Sequence, residues 1–382
     1  MHAGAELYGA DKVLLELVEG INTKYNPIVI LPVNGPLIEQ FKEKGIETLV
    51  VEYPILRRKI FNLKGIINYI KDYIIFSKKL RVIASEKRID LIHVNTTAVF
   101  EGIAIKKMMN IPLVWHVHEI IVSPKIISRI IAWAVCKFSD VIVVVSEAVK
   151  QYLLASNIKK KSLVETIYNG VPFYNEQEIS TFDRKKNDLR KRLGIKNSSV
   201  VIGMIGRINS WKGQSDFLKS VEYTLSNLAD SHAVIIGGVF EGEEWRIKKL
   251  SDEINKSANS SRIHLLDFQK DILQYHNMFD IFVLPSTNPD PLPTVVLEAM
   301  SLGKTVLGYN HGGVIEMVHC PQKVLVEPGN IQKLSDLIFE FASDSSLREK
   351  LGNSNLLKQQ TIFNVNNYHK KFIELYDRIL GE

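Results

Sequence analysis

Short apolar, β-branched runs alternate along the chain with amphipathic stretches of helical period. In the first half "PIVILPV", "ETLVVEY", "LIHVN", "PLVWHVH" and "VIVVVS" are continuously apolar rather than alternating, as expected of strands buried on both faces of a parallel sheet. Between them, segments such as "ADKVLLELVEGIN" repeat apolar positions at helical spacing. The second half repeats the scheme with "VVIGMIG", "HAVIIGG", "IHLLDF", "IFVLPS", "KTVLGY" and "KVLVEP". This rhythm predicts an α/β chain with two doubly wound parallel sheets. The polar, turn-rich "FYNEQEISTFDRKKNDLRKRLGIKNSS" falls between the halves. It predicts a linker over 173–196, with one domain over 1–172 and a second over 197–364. At the end, Tyr368, Phe372, Leu375, Tyr376 and Leu380 share one helical face, so 365–382 is expected to pack against the protein.

Composition narrows the class. A length of 382 residues exceeds what one core usually serves and agrees with two domains. Hydrophobic residues make up 46% and charged residues 24%, values of an ordinary globular enzyme that exclude disorder. The two cysteines, Cys136 and Cys320, lie in or beside apolar segments and exclude a disulfide framework. The most apolar stretch, "IISRIIAWAVCKFSDVIVVVS", is broken by Arg129, Lys137 and Asp140 and falls short of a membrane span. No segment reads as a secretory signal, so the expectation is a cytoplasmic chain. The net charge of +6 is uneven. Residues 55–88 hold ten Lys and Arg against Asp72 and Glu86, interleaved with Ile, Phe and Tyr. Such a stretch suits either a basic helix packed on a sheet or a surface lying on anionic lipid at the inner face of the membrane. Nucleic acid is disfavoured, since no reading motif accompanies the charge.

Ligands of doubly wound sheets bind at the carboxyl ends of strands, which directs attention to the residues that follow each run. After "VIGMIG" come Arg207 and Lys212 in one loop, with Gly213 opening a helix. A guanidinium fork and an ammonium near a helix N-terminus suit a diphosphate, although a solvated loop has the same composition. The segment matches neither a Walker A loop nor a dinucleotide fingerprint. After "IFVLPS" comes "NPDPLPTVVLEAM". Pro293 suits a helix start, which would leave the amides of Thr294, Val295 and Val296 facing an anion. Glu298 falls one turn on, where a carboxylate can accept both hydroxyls of a ribose, and Asp290 precedes the helix. A capping Asp and a surface Glu would be the plainer account. His116 and His118 follow "PLVW" in the first half and are either core residues or site residues. No carboxylate pair or His/Cys cluster has metal-ligand spacing.

Taken in order, "GRINSWKG", "PSTNPDPLPTVVLEAMSLGKTV", "HGGVIEMV" and "VLVEPGN" resemble the nucleotide-sugar half of the retaining glycosyltransferases of family four (glycosyl transferases group 1), which have the GT-B fold. The resemblance continues through "ELYGADKVLLELV", "RIDLIHVNTTAVFEGIAIKKMMNIPLVWHVHE" and "DVIVVVSEAVKQYL" and takes in nearly the whole chain. It implies two Rossmann-like domains facing across a cleft, with the last helix returning to the N-terminal one. It implies a metal-independent, hexosyltransferase-type enzyme with no cofactor. Such an enzyme moves sugar from a UDP- or GDP-sugar to a hydroxyl of a glycan or lipid-linked acceptor, as in bacterial surface polysaccharide synthesis. In that pattern Arg207 and Lys212 clamp the diphosphate, Glu298 holds the ribose and Asp290 meets the donor sugar. The amides near Thr294 and Val295 help hold sugar and phosphate, His118 lines the sugar site, and Gly9 belongs to a glycine loop near the diphosphate. Hinge closure would bring His118 toward the sugar.

The chain departs from the family pattern in three places. Asp290 stands where Glu is usual, Pro293 where Gly is common, and "MHAGAELYGADK" begins at the glycine loop, so the first strand of the N-terminal sheet is expected to be absent. A sugar-nucleotide epimerase of similar fold, which would act without acceptor, and a catalytically silent nucleotide-sugar-binding subunit are the alternatives.

Overall fold

A computed structural model describes residues 1–57, 60–155 and 162–381. Arg58 and Lys59 of the basic stretch lie outside the described residues. The chain divides into two compact units, Met1–Gly170 with Val365–Glu382, and Val171–Asn364.

The first unit runs α1 (Gly9–Ile21), β1 (Ile28–Leu31), α2 (Pro36–Glu43), β2 (Glu47–Val50), α3 (Leu63–Glu86), β3 (Ile92–Val94), α4 (Glu101–Met109), β4 (Leu113–Val117), α5 (Lys125–Phe138), β5 (Val141–Val144), α6 (Glu147–Leu154) and β6 (Leu163–Thr166). Strands β3, β4, β5 and β6 pair in that order, all parallel, while β1 and β2 form a separate parallel pair. Among the described residues no strand pairs β1 with β3. At that place Met1 bonds to β3, its amino group donating to His93 O at 2.7 Å and its carbonyl accepting from Asn95 N at 2.9 Å. The Tyr53 hydroxyl lies beside His2 and bonds Ile30 O of β1 at 2.8 Å. Strand β4 is buried at all five positions, which is why "LVWHV" is apolar on both faces. His116 is part of that core: it is fully buried and packs its ring on Phe372 and on His93.

The second unit runs α7 (Glu176–Arg192), β7 (Val200–Ile205), α8 (Gln214–Asn227), β8 (Ser231–Ile236), α9 (Trp245–Asn255), β9 (Ile263–Leu266), α10 (Leu273–Met278), β10 (Ile281–Leu284), α11 (Thr294–Ser301), β11 (Thr305–Tyr309), α12 (Val314–Met317), α13 (Pro321–Val324), β12 (Leu325–Val326), α14 (Ile331–Ser343) and α15 (Ser345–Thr361). Its parallel sheet has the order β12-β11-β10-β7-β8-β9, so the winding direction reverses between β7 and β10. The last helix, α16 (Val365–Leu380), belongs to the first unit, where it packs on α1 through Tyr368, Phe372, Leu375 and Tyr376.

The segment expected as a linker over 173–196 is instead mostly α7, packed on α10 within the second unit. Asn175 and Glu178 cap its start reciprocally at 3.0 and 2.9 Å. Its polar composition reflects a helix that buries little more than Leu189 and Arg190. Buried Arg190 is fixed by the carbonyls of Lys196, Ser199 and Met278 and by Asp280 at 3.1 Å. Among the described residues no helix is long and apolar enough to cross a membrane.

Candidate functional site

The reversal between β7 and β10 leaves a crevice beyond their carboxyl ends, the place where doubly wound sheets bind ligands. The loop after β7 carries Arg207 and Lys212, and the loop after β10 carries Ser286 and Asp290. Two features hold these loops together. Thr287 N donates to Trp211 O at 2.7 Å. Gly213, at φ +82°, lets the chain pass so close to Pro285 that an added Cβ would stand 1.9 Å from its carbonyl oxygen. Asn209 shapes the turn before Lys212 by accepting from the amides of Trp211 and Lys212 at 3.0 and 2.9 Å.

The side chains meet across this crevice. Lys212 Nζ donates to both carboxylate oxygens of Asp290, at 2.9 and 2.8 Å, and both groups are largely buried. Ser286 Oγ donates to Asp290 Oδ2 at 2.8 Å, and His311 in turn bonds the Ser286 carbonyl. The glycines of "HGG" hold the acid from behind. Gly313 N donates to Asp290 O at 2.8 Å, and a Cβ on Gly312 would meet that oxygen at 2.3 Å. Arg207 places its guanidinium carbon 3.6 Å from the centre of the Phe240 ring, a cation–π contact that holds the side chain at the loop after β7.

Helix α11 begins beside this pair. Pro293 is its N-cap, in extended conformation, rather than a residue of the first turn. The amides of Thr294 and Val295 precede any intrahelical acceptor, whereas Val296 N donates to Pro293 O at 3.0 Å, which removes it from the expected anion site. Glu298 sits one turn along, buried, with Oε2 3.7 Å from Nε2 of His276 on α10. Arg207, Lys212, Asp290, Thr294, Val295 and Glu298 thus belong to one region of the second unit.

Gly9 and His118 belong to the first unit. Gly9 opens α1, whose first turn holds Asp11. His118 follows β4, and its ring reaches back to Asn95 after β3, Nε2 to Oδ1 at 3.0 Å. Glu119 fixes the same corner by accepting from Thr96 Oγ1, Thr97 N and His118 N at 2.6, 3.1 and 3.2 Å. His2 ties the two loops, bonding Asp11 through Nε2 at 3.0 Å and Asn95 through Nδ1 at 3.2 Å. Burial, with a smaller contribution from His2, pushes the His118 pKa down to about 3, so the ring is neutral.

Sequence reasoning did not single out His311, Phe240, His276 or His2, and it marked Ser286 and Asn95 only as residues that follow a strand. For most of these there was no signal beyond position after a strand, because each partner comes from a distant part of the chain. The "HGG" at 311–313 was the exception, since paired glycines after a strand announce a close backbone approach.

These two Rossmann-like units, one with a cation–carboxylate pair at its switch point, define a chain of the GT-B fold. Comparison with known proteins agrees. The family model Glycosyltransferase Family 4 matches residues 8–173, and Glycosyl transferases group 1 matches residues 185–356. The chain therefore belongs to the GT-B glycosyltransferases of group 1, with a family 4 unit followed by a group 1 unit. It is similar to the spore coat protein SA of Bacillus subtilis (23% identity over 62% of this chain and 64% of that one). It is similar also to the capsular polysaccharide biosynthesis glycosyltransferase CapM of Staphylococcus aureus (24% over 63% and 62%). The chain thus spans a little under two thirds of the length of these two relatives. A third, the N,N'-diacetylbacillosaminyl-diphospho-undecaprenol alpha-1,3-N-acetylgalactosaminyltransferase of Campylobacter jejuni, is matched over 99% of this chain and 97% of its own at 22% identity. Among solved structures, Anabaena HepE in complex with UDP and glucose superposes with a TM-score of 0.82 at 23% identity, covering 98% of this chain and 97% of that one.

Proposed function

We propose that this chain is a retaining, metal-independent glycosyltransferase of hexosyltransferase type. It would transfer a sugar from a UDP- or GDP-sugar to a hydroxyl of a glycan or lipid-linked acceptor in bacterial surface polysaccharide synthesis. The observation that carries the reading is the Lys212–Asp290 pair at the switch point of the second unit, beside Arg207 and the start of α11. On this reading Lys212 exchanges its carboxylate partner for the donor diphosphate, which Arg207 grips by its fork. Asp290 is then released toward the hydroxyls of the donor sugar. Glu298 accepts the ribose hydroxyls, and the amides of Thr294 and Val295 meet phosphate or sugar oxygens. Gly9 and His118, carried on the first unit, are assigned to the diphosphate and the sugar.

The two cations supply the charge neutralisation that the leaving nucleotide needs. In a front-face displacement the bond from the anomeric carbon to the phosphate oxygen breaks as the bond to the acceptor oxygen forms. The acceptor proton passes to the departing phosphate. Two of the relatives named above act, as their names say, in capsular polysaccharide biosynthesis and on a diphospho-undecaprenol acceptor, which supports a lipid-linked acceptor here. The exposed isoleucines and lysines of α3 support a cytoplasmic enzyme resting peripherally on the inner face of the membrane.

Calorimetric titration against a panel of UDP- and GDP-sugars tests the site. One nucleotide sugar should bind, and Arg207→Ala and Glu298→Ala should each weaken it about tenfold or more, the effect of losing a charge-assisted hydrogen bond. Binding unchanged in both variants would sink the assignment. Product analysis with and without acceptor separates transfer from epimerisation, because an epimerase converts the donor alone.

A further inference from the structure

Glu298 is given the ribose in the reading above, and a residue which that reading leaves unused stands against its carboxylate. The neighbours of Glu298 on α11, Val296, Leu297, Ala299 and Met300, are fully buried, so the acid is carried by a stretch of helix sunk in the core. A carboxylate in such a place is costly unless a cation or an N–H faces it. Nε2 of His276, itself fully buried on α10, stands 3.7 Å from Glu298 Oε2.

His276 has little freedom to leave. Its ring packs on Phe279 and Phe282, with ring centres 6.0 and 5.1 Å apart, and its backbone N–H donates to Ile272 O at 3.0 Å. The residues on either side are tied down as well. The Tyr275 hydroxyl donates to Gln269 Oε1 at 2.9 Å. Asn277 Nδ2 donates to Asp183 Oδ1 at 3.0 Å, and its carbonyl accepts from Lys304 Nζ at 2.9 Å. The imidazole is thus a fixed point beside a longer, more flexible acid. An imidazolium, or a neutral ring protonated at Nε2, presents the N–H that a carboxylate favours, because a carboxylate only accepts. The separation is that of an ion pair and longer than a hydrogen bond, so the attraction leaves the lone pairs of the acid for a ligand. A carboxylate has about four lone-pair sites, and a ribose diol needs two.

We propose that His276 is a positioning residue for nucleotide recognition: it holds the Glu298 carboxylate from behind, and so sets the preference of the site for a nucleotide that carries both ribose hydroxyls. The inference rests on the assignment of Glu298 to the ribose. His276 then acts through one acid on one diol, and not on the diphosphate, the base or the sugar. Without the imidazole the carboxylate is free to turn away, and the diol must order it on binding.

Calorimetric titration of the full-length protein with UDP and GDP, each beside its dideoxy form lacking both ribose hydroxyls, reads the effect. The nucleotide that binds should do so about tenfold or more tighter than its dideoxy form, and Glu298→Gln should erase the difference. His276→Phe keeps a ring but has no N–H. It should weaken the ribonucleotide on the order of tenfold and leave the dideoxy form unchanged. His276→Asn, whose shorter amide withdraws the N–H from Glu298, should do the same. His276→Gln, which can place an amide N–H near the position of Nε2, should keep the preference. When His276→Phe and Glu298→Gln are combined, the two losses should not add. Equal weakening of both nucleotide forms by the Phe and Asn variants would make His276 a core residue and overturn the inference. A ribose preference untouched by either variant would overturn it too. Failure of the functional reading looks different: a native protein with no ribose preference, or a preference that survives Glu298→Gln, would overturn the assignment of Glu298 itself and this inference with it.

Discussion

Lys212 and Asp290 form a largely buried ion pair at the switch point of the second unit. Buried ions are costly, and here each neutralises the other, with Ser286 supplying the extra hydrogen bond that such a pair needs. The arrangement predicts an asymmetry between losing one member and losing both charges. Lys212→Met keeps the volume but strands a buried carboxylate, and should cost about 3–5 kcal/mol in urea denaturation. Adding Asp290→Asn should recover most of that loss, since an amide needs no counter-ion, while binding of the nucleotide sugar stays lost. Equal stability of the single and double variants would show that the pair does not carry the charge balance assigned to it. The family resemblance directed attention to each of these two residues, but their pairing was not legible in the sequence. They stand 78 positions apart, and nothing in either loop announces that the other closes on it.

Elements were legible where burial is two-sided and illegible where it is not. The strands β4, β5, β7, β8 and β10 are buried along most of their length, and so each wrote a mainly apolar run. Helix α7 is ordered by its capping box and by Arg190, neither of which leaves an apolar period, so it resembled a linker. Strand β6, "LVET", is a sheet edge with an exposed first residue and gave no run to find. Helix α3 is the opposite case, with apolar period in excess of what it buries. Only Ser77, Leu80 and Ala84 are buried, while Ile67, Ile70 and Ile74 are each about half exposed among Lys71, Lys78, Lys79 and Arg81. An exposed stripe of this kind needs a cover, and its charge favours anionic lipid. In liposome flotation the protein should bind vesicles containing anionic lipid. Replacing Lys78, Lys79 and Arg81 by Ala should weaken binding about a hundredfold, at roughly 1 kcal/mol for each basic residue near the surface. Equal flotation with neutral and anionic vesicles, or none with either, would remove the membrane from the proposal.

At the scale of the whole molecule, the order of the chain and the order of the structure differ, because the last helix belongs to the first unit. Helix α16 inserts Tyr368, Phe372, Leu375 and Tyr376 into a core formed with Val13, Leu17 and Ile21 of α1 and Val114 and Val143 of the sheet. Tyr376 also bonds His93 on β3, hydroxyl to Nδ1 at 2.6 Å. The first unit therefore cannot complete its core until the second has been synthesised. Phe372 is fully buried at the centre of this cluster, touching the rings of His116, Tyr368 and Tyr376. Phe372→Ala should cost about 3–5 kcal/mol, as large-to-small changes of core aromatics do. The loss should be confined to the unit that owns the helix. Hydrogen exchange should accelerate in α1, β3, β4 and α16, while β7, β8 and β10 keep their protection and the second unit its affinity for nucleotide. Uniform acceleration across both units would mean that they unfold as one body, and the division of the chain at Gly170 and Asn364 would then describe its contacts but not its cooperativity.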